Sequence, residues 1–337
     1  MPAGASDRAE WGSFKDRFLA PDGRVVDTGN GGVSHSEGQG WGLFLAATFD
    51  DRTAFGRILH WTNGALRRPA DALHAWRYAP GRAVKVEDRN NATDGDLFIG
   101  AALARAASRW GDRVHAIAAG EIGRDILRLL LRQAGGRTLL LPGVAGFETP
   151  TAWIVNPSYY AFPFISELAW TAPSPEWERL RRGGLALVEM GRFGPRMLPP
   201  DWLAVSRVGE RLSAAPGWPA RFSYDAIRIP LYILWARLPA PALIGSLAQF
   251  WGRFPDGAFP AWADLVDAAV APYRANPGMI AIARLMLARL AGAPEPIWPA
   301  IAAAPDYYSA VLTMLARLAW RESCGACGQS TTFHLKI

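Results

Sequence analysis

Two cysteines in 337 residues are too few for a disulfide framework. Cys324 and Cys327, with His334 at a loose spacing, also fall short of a zinc ligand set. A free or locally paired thiol pair is the expectation there, and neither a metal nor any other cofactor is expected. No run of about 18 uncharged apolar residues occurs. The start, "MPAGASDRAEW", lacks a charged stretch followed by an apolar one. Membrane insertion is therefore not expected, and any signal peptide would lie outside this chain. The formal charge is +6, but the cations are almost all Arg scattered through apolar segments such as "RDILRLLLRQ". Without a basic tail or stripe, nucleic acid is not an expected partner.

Several chemistries lack their motifs. There is no G-x-S-x-G elbow, no G-x-G-x-x-G after a strand, no P-loop and no H-E-x-x-H. The Asp88 to Gly95 stretch fails as a calcium loop because Ala92 falls at a ligand position. The five histidines are dispersed, and His35 reads as a loop residue packed beside a site rather than as part of a triad.

What the chain has in quantity is helical periodicity. Apolar residues recur at i, i+3, i+4 and i+7 over 37–48, 52–65, 95–109, 113–133, 159–168, 175–190, 225–237, 241–252, 276–291 and 305–321. The β-like runs are short: "RVVD", "AVKVED" and "TLLLPG". Connections carry Pro, Gly, Asn and aromatic residues, and no polar linker divides the chain. The expectation is an all-α, single-domain protein spanning 1–337, with a core over 9–321, long loops gathered at helix ends and an unassigned tail from 322.

Three carboxylates stand where a loop enters an apolar helix: Glu37 in "SHSEGQGWG", Asp94 in "NNATDGDLFIG" and Asp225 in "RFSYDAIRIPLY". Capping alone explains such acids, since Ser34 to Glu37 and Thr93 to Asp96 have capping-box spacing. Capping does not need the surrounding glycines. Gly38 and Gly42 share one helical face and Gly40 lies on another, which suggests a ligand passing close to the backbone. Arg228, one turn after Asp225, would favour its ionised form. Apolar neighbours Trp41, Leu43 and Phe44 would favour a protonated Glu37. Of the 15 Trp, Trp41, Trp61, Trp76, Trp153, Trp202 and Trp218 sit in or beside loops, and flat rings with carboxylates and amides suit a carbohydrate cleft. Trp110, Trp235, Trp251 and Trp320 follow the helical pattern and belong to the core.

The ordered segments "SEGQGWGLFLAATFDDRTAFGRILHWT", "NNATDGDLFIGAALARAASRW", "WIVNPSYY" and "YDAIRIPLY" resemble glycoside hydrolase family 8, in particular its members that accompany bacterial cellulose synthases. The similarity runs from about Trp11 to Trp320. It implies an (α/α)6 barrel of six inner and six outer helices and endo-cleavage of β-1,4-glucan with inversion. It implies a periplasmic or secreted location, and a cellulose synthase complex as a partner besides the glucan. Matched residue by residue, it makes Glu37 the general acid and Asp225 the base that activates water, with Tyr224 and Tyr159 near that water. Asp94 falls at the family's nucleophile position, where an inverting enzyme would use it to grip the sugar. Trp76 and Trp41 are the expected stacking platforms, Arg77 and Asn156 polar contacts, and Arg228 a site residue. Two departures, Gly100 for the usual Ala and Trp41 for the commoner Tyr, are expected to alter subsite shape. Chitosan, xylan or mixed-linkage glucan as substrate, or a non-catalytic glucan-binding subunit, are the alternatives.

Overall fold

The structure, a computed structural model, describes residues 5–323 apart from Gly209, and its helices alternate between two rings. The helices are α1 (Ala5–Phe18), α2 (Ser36–Thr48), α3 (Arg52–Leu66), α4 (Thr93–Trp110), α5 (Arg113–Leu130), α6 (Phe162–Thr171), α7 (Glu176–Met190), α8 (Arg228–Trp235), α9 (Pro241–Trp251), α10 (Pro277–Leu290) and α11 (Tyr307–Ser323). Inner helices are apolar on most sides: α4 buries nearly every residue from Thr93 to Ala107, and α11 nearly every residue from Tyr307 to Trp320. Outer helices bury one stripe, as α3 does with Ala54, Phe55, Ile58, Thr62 and Leu66. Helices α2, α4, α6, α8, α10 and α11 form the inner ring, and α1, α3, α5, α7 and α9 the outer one. This is an (α/α)6 barrel. Among the described residues its sixth outer station holds no α-helix: the segment 291–306, with one 3₁₀ turn at Ile301–Ala303, fills it.

Connections at the two ends of the barrel differ. Inner-to-outer turns are short, as at 49–51 and 111–112, and are fixed by local caps. Asp51 accepts from Ala54 N, Asp112 accepts from Val114 N and His115 N, and Gly111 ends α4 in the left-handed region at φ 69°. Connections leading into inner helices are long (19–35, 67–92, 131–161, 191–227, 252–276) and carry the small strands. Strands β1 (Ser34–His35) and β2 (Arg77–Tyr78) pair, as do β3 (Leu131–Ala134) and β4 (Arg137–Leu140). Strands β5 (Ala152–Val155), β6 (Leu203–Ser206) and β7 (Leu212–Ala214) form an antiparallel sheet, and β8 (Arg221–Phe222) pairs with β9 (Ala263–Asp264). The N-termini of the inner helices therefore open into a rim of loops.

Most of the helical pattern read from the sequence is present. The run 113–133 ends at Leu130, because Gly135 and Gly136 adopt φ 56° and 72° and turn the chain into the β3–β4 hairpin. "AVKVED" is not a strand. Helix α1 went unread because charged residues crowd its sequence, yet Trp11, Phe14 and Phe18 bury one face of it. The β5–β7 sheet was also unread, since three- and four-residue strands leave little periodicity.

Glycines set how closely α2 and α4 approach. A Cβ on Gly40 would lie 2.5 Å from Phe98 Cβ and 2.9 Å from Ile99 N, and a Cβ on Gly95 would collide with Ser36 Oγ and lie 2.7 Å from Glu37 N. Gly38 faces Tyr307 and Gly42 faces Val25. The glycines thus serve packing between helices on several faces, correcting the expectation that they clear a path for a ligand. Gly100 is a packing glycine too, with Leu168 Cδ1 2.9 Å from where its Cβ would stand, so it does not shape a subsite.

Gly40→Ala is expected to lower stability by about 1–3 kcal/mol through overpacking against α4 backbone. Gly64→Ala, at an exposed helical position with nothing within 4 Å, should raise it by about 1 kcal/mol. Urea denaturation of both variants checks the pair; a Gly40→Ala protein as stable as the parent would remove the seam argument.

Candidate active site

The approach of α2 to α4 puts Glu37 and Asp94, each in the first turn of its helix, beside each other at the rim end. Asp225 sits in the turn ahead of α8, and Arg228 is the first residue of that helix. One guanidinium meets all three carboxylates. Arg228 Nη1 donates to Glu37 Oε2 and lies 3.5 Å from Asp94 Oδ2, while Nη2 donates to Asp225 Oδ1 at 2.5 Å. The arginine side chain is 2% exposed, Asp94 2%, Glu37 20% and Asp225 30%. The cation is thus enclosed while two of its acids remain reachable.

Burial dominates the electrostatics. It pushes Asp94 well above the usual carboxylate range, helped by the neighbouring Glu37 charge and opposed by Arg228. It raises Asp225 as well, against Arg228 and Asn156, which favour the charged form. Burial alone would lower Arg228, but Glu37, Tyr308 and Asp225 outweigh it and hold the guanidinium firmly charged. The expected ion pair between Asp225 and Arg228 is present. The expected apolar wall around the Glu37 carboxylate is not: Phe44 packs on Phe164 and Trp235, Leu43 is wholly buried, and the group that meets the acid is a guanidinium.

Neither capping box forms. The N-caps of α2 and α4 are His35 and Ala92, without side-chain cap bonds. Ser34 Oγ donates to Val25 O, and Thr93 Oγ1 donates to Leu141 O. Asp96, fully buried, accepts from His74 N at 2.8 Å and Asn91 Nδ2 at 3.0 Å, and lies 3.0 Å from His74 Nδ1, tying the 67–92 loop to the start of α4.

The "NPSY" segment lies across from these helices. Asn156 is buried, and Tyr159 stands beside Arg228, with the guanidinium carbon 6.0 Å from its ring centre. Tyr224 is 45% exposed next to Asp225, and its carbonyl accepts from Tyr308 Oη. Sequence reading missed Asp201, whose Oδ1 accepts from Ser223 N at 3.0 Å and Ala226 N at 2.8 Å and so clamps the turn that carries Asp225. Burial, then the Asp225 charge, pushes Asp201 up to about 8. Ser158 and Tyr308 were missed as well. Asp201 lies far from the four motifs, and only its position in "LPPDW" before a strand offered a signal.

Aromatic rings divide into two groups. Trp76 lies on the β1–β2 side, stacked on His35 with centroids 5.9 Å apart, its Nε1 donating to Asp88 Oδ2 at 2.9 Å. Arg77 follows it, 5.7 Å from the same ring. His35 is thus a packed neighbour of the site. Trp41 is wholly buried against Phe98, Tyr307 and Tyr308, with Arg228 5.7 Å from its ring. It cannot stack on a sugar, because its faces are spent on the floor beneath the carboxylates. Trp61 packs edge-on to Tyr78, and Trp153 lies between Arg132 and Arg207. Trp202 stacks with Phe147 and Trp218 and adjoins Tyr159. The tail cysteines and His334 lie outside the described residues.

Carboxylates of unlike exposure around one cation, at the open end of an (α/α)6 barrel and between two aromatic groups, make the arrangement of a polysaccharide-cleaving glycosidase. The model of glycosyl hydrolases family 8 matches residues 2–322. The chain belongs to that family. It is 43% identical over 321 residues to "Probable endoglucanase" of Novacetimonas hansenii, covering 95% of this chain and 93% of that one. It is 39% identical over 277 residues to an endoglucanase of Cellulomonas uda, covering 82% and 77%. The solved structure of endo-beta-1,4-glucanase CMCax from Acetobacter xylinum superposes with a TM-score of 0.88 at 42% identity, covering 94% of this chain and 98% of that one. No described helix is long and apolar enough to cross a membrane.

Removing the cation tests this electrostatic design. Arg228→Gln leaves buried carboxylates uncompensated and should cost about 3–5 kcal/mol near neutral pH. Asp94 and Asp225 are already raised in the fold and rise further without Arg228, so the folded variant binds protons that the unfolded chain has released. Its stability must then fall as pH rises from 5 to 8. Denaturation midpoints across that range check the sign; a deficit that shrank with rising pH would contradict it.

Proposed function

We propose that this chain is an endo-acting β-1,4-glucanase that cleaves cellulose with inversion. The observation carrying the proposal is the placement of Glu37 and Asp225 on the two arms of one guanidinium, with Asp94 enclosed beside them. Glu37 is the general acid that protonates the leaving oxygen. Asp225 is the general base that takes a proton from the attacking water, with Tyr159 and Tyr224 beside that water. Each step uses a carboxyl group that remains open to the cleft.

Asp94 is too enclosed to attack an anomeric carbon. Burial raises it well above the usual carboxylate range, which suits it to hydrogen-bond a sugar hydroxyl and hold the ring distorted at the cleavage point. Trp76 supplies a stacking surface, with Arg77 beside it and Asn156 at the centre. The similarity of the ordered motifs to family members that accompany cellulose synthases supports a role in cellulose synthesis. In that role the enzyme acts in the periplasm or outside the cell on a nascent glucan, with the synthase complex as partner.

Glu37→Gln should fold as the parent does and lose at least ~100-fold in kcat, the scale of general acid catalysis. Reducing-sugar release from carboxymethyl cellulose, run beside chitosan and xylan, measures this and the substrate class together. Near-parental hydrolysis by the variant would remove Glu37 from its role, and preference for chitosan or xylan would replace the glucan.

Stereochemistry is the second test. An acid and a base with a water between them, their carboxyl groups roughly 6.5–9.5 Å apart, deliver the α-anomer first; a nucleophilic carboxylate at roughly 5 Å delivers the β-anomer. Proton NMR of the first product from a cello-oligosaccharide, before mutarotation, decides. An initial β-anomer would overturn Asp225 as base.

A further inference from the structure

The base is held by more than its arginine. Ser158 lies in the 3₁₀ turn Pro157–Tyr159 that Asn156 caps, and both Ser158 and Asn156 are buried, at 1% and 0% exposure. Arg228 Nη2, the same nitrogen that donates to Asp225, also donates to Ser158 Oγ at 2.9 Å. A guanidinium has no acceptor, so the Ser158 hydroxyl hydrogen must point elsewhere. It points to Asn156 Oδ1, 2.7 Å away, which also accepts from Ser158 N at 3.0 Å. Two donors thereby fix which end of the Asn156 amide is oxygen. The other end, Nδ2, is buried and has no hydrogen-bond partner.

We propose that Ser158 is a positioning residue for the reaction: its hydroxyl, itself held by Asn156 Oδ1, fixes the arm of Arg228 that binds Asp225. The donors run from Arg228 Nη2 to Ser158 Oγ and from Ser158 Oγ to Asn156 Oδ1, so the nitrogen that binds the base is anchored through the hydroxyl. Ser158 is too buried to touch a glucan, so its effect passes through its neighbours. The backbone N–H of residue 158 also donates to Asn156 Oδ1, so the amide keeps its orientation when the hydroxyl is removed and the arginine arm alone loses its anchor.

The inference rests on Asp225 as the base. The other groups that bear on this carboxylate are Glu37 of α2, Asp94 of α4, Tyr159 of the 3₁₀ turn, Asp201 from the loop before β6, and Tyr308 of α11. Ser158→Ala changes none of them. The variant removes the acceptor that holds the Nη2 arm of Arg228 and so loosens a donor that favours the ionised base, and the acidic limb of the kcat/KM profile should move up by roughly half a pH unit or more. kcat at the parent optimum should fall about 10-fold with KM within about 2-fold, since glucan binding is not altered.

Kinetics of Ser158→Ala, Asn156→Ala and the double variant on a cello-oligosaccharide test this. Because Asn156 holds the arginine arm through the Ser158 hydroxyl, the double variant should show the limb of Ser158→Ala alone. An acidic limb at the parent pH in Ser158→Ala, or shifts that add in the double variant, would overturn the proposal. Ser158→Thr keeps the hydroxyl and should restore the parent limb; if Ser158→Ala fails to fold, a displaced limb in Ser158→Thr overturns the proposal instead. Asp225→Asn separates the two levels. If it stays active, the base assignment and the inference fall together. If it is inactive and the limb of Ser158→Ala does not move, only the role of Ser158 is lost.

Discussion

One buried guanidinium organises the open end of this barrel. Arg228 is a single positive charge facing Glu37, Asp94 and Asp225, which come from three different elements. Three carboxylates around one cation crowd negative charge into a poorly solvated place, and burial raises the most enclosed member, Asp94, well above the usual carboxylate range. No apolar pocket surrounds Glu37: its carboxylate meets the guanidinium, and it and Asp225 keep access to the cleft that Asp94 lacks.

The rest of the fold supplies the positions. Short capped turns at one end set the spacing of inner and outer helices, while long loops at the other end are free to carry strands and aromatic rings. Gly40 and Gly95 let α2 and α4 come close enough for Glu37 and Asp94 to share Arg228. Asp96 ties the loop bearing Trp76 to the first turn of α4, and Asp201 clamps the turn bearing Asp225. Asp96 and Asp201 thus hold the elements that carry the site, and buried polar groups of this kind are worthwhile only where each finds its partners.

How much of this was legible can be argued residue by residue. Helix periodicity located ten of the helices, because burying one side of a helix leaves a repeating mark in the chain. Glu37, Asp94, Asp225 and Arg228 could be picked out because each stands at a loop-to-helix junction inside a distinctive motif. Trp41 was misjudged: an indole near a carboxylate reads alike whether its face meets a sugar or Phe98. The glycines were misjudged for the same reason, since a missing side chain does not say which neighbour requires its absence. Helix α1 and the sheet β5–β7 left too weak a pattern, and Ser158 and Asp201 act through hydrogen bonds to residues whose proximity no spacing records.

The sequence by itself determined the helical class, the family motifs and the identities of the acids, because these depend on residue type and on distances of a few residues along the chain. The tertiary structure decided which of those residues meet. Asp94 and Arg228 are 134 positions apart and Glu37 and Arg228 are 191 apart, yet they share one guanidinium. Protonation, orientation and access in the site depend on distances through space and on exclusion of water, and those exist only once the six inner helices have closed on one another.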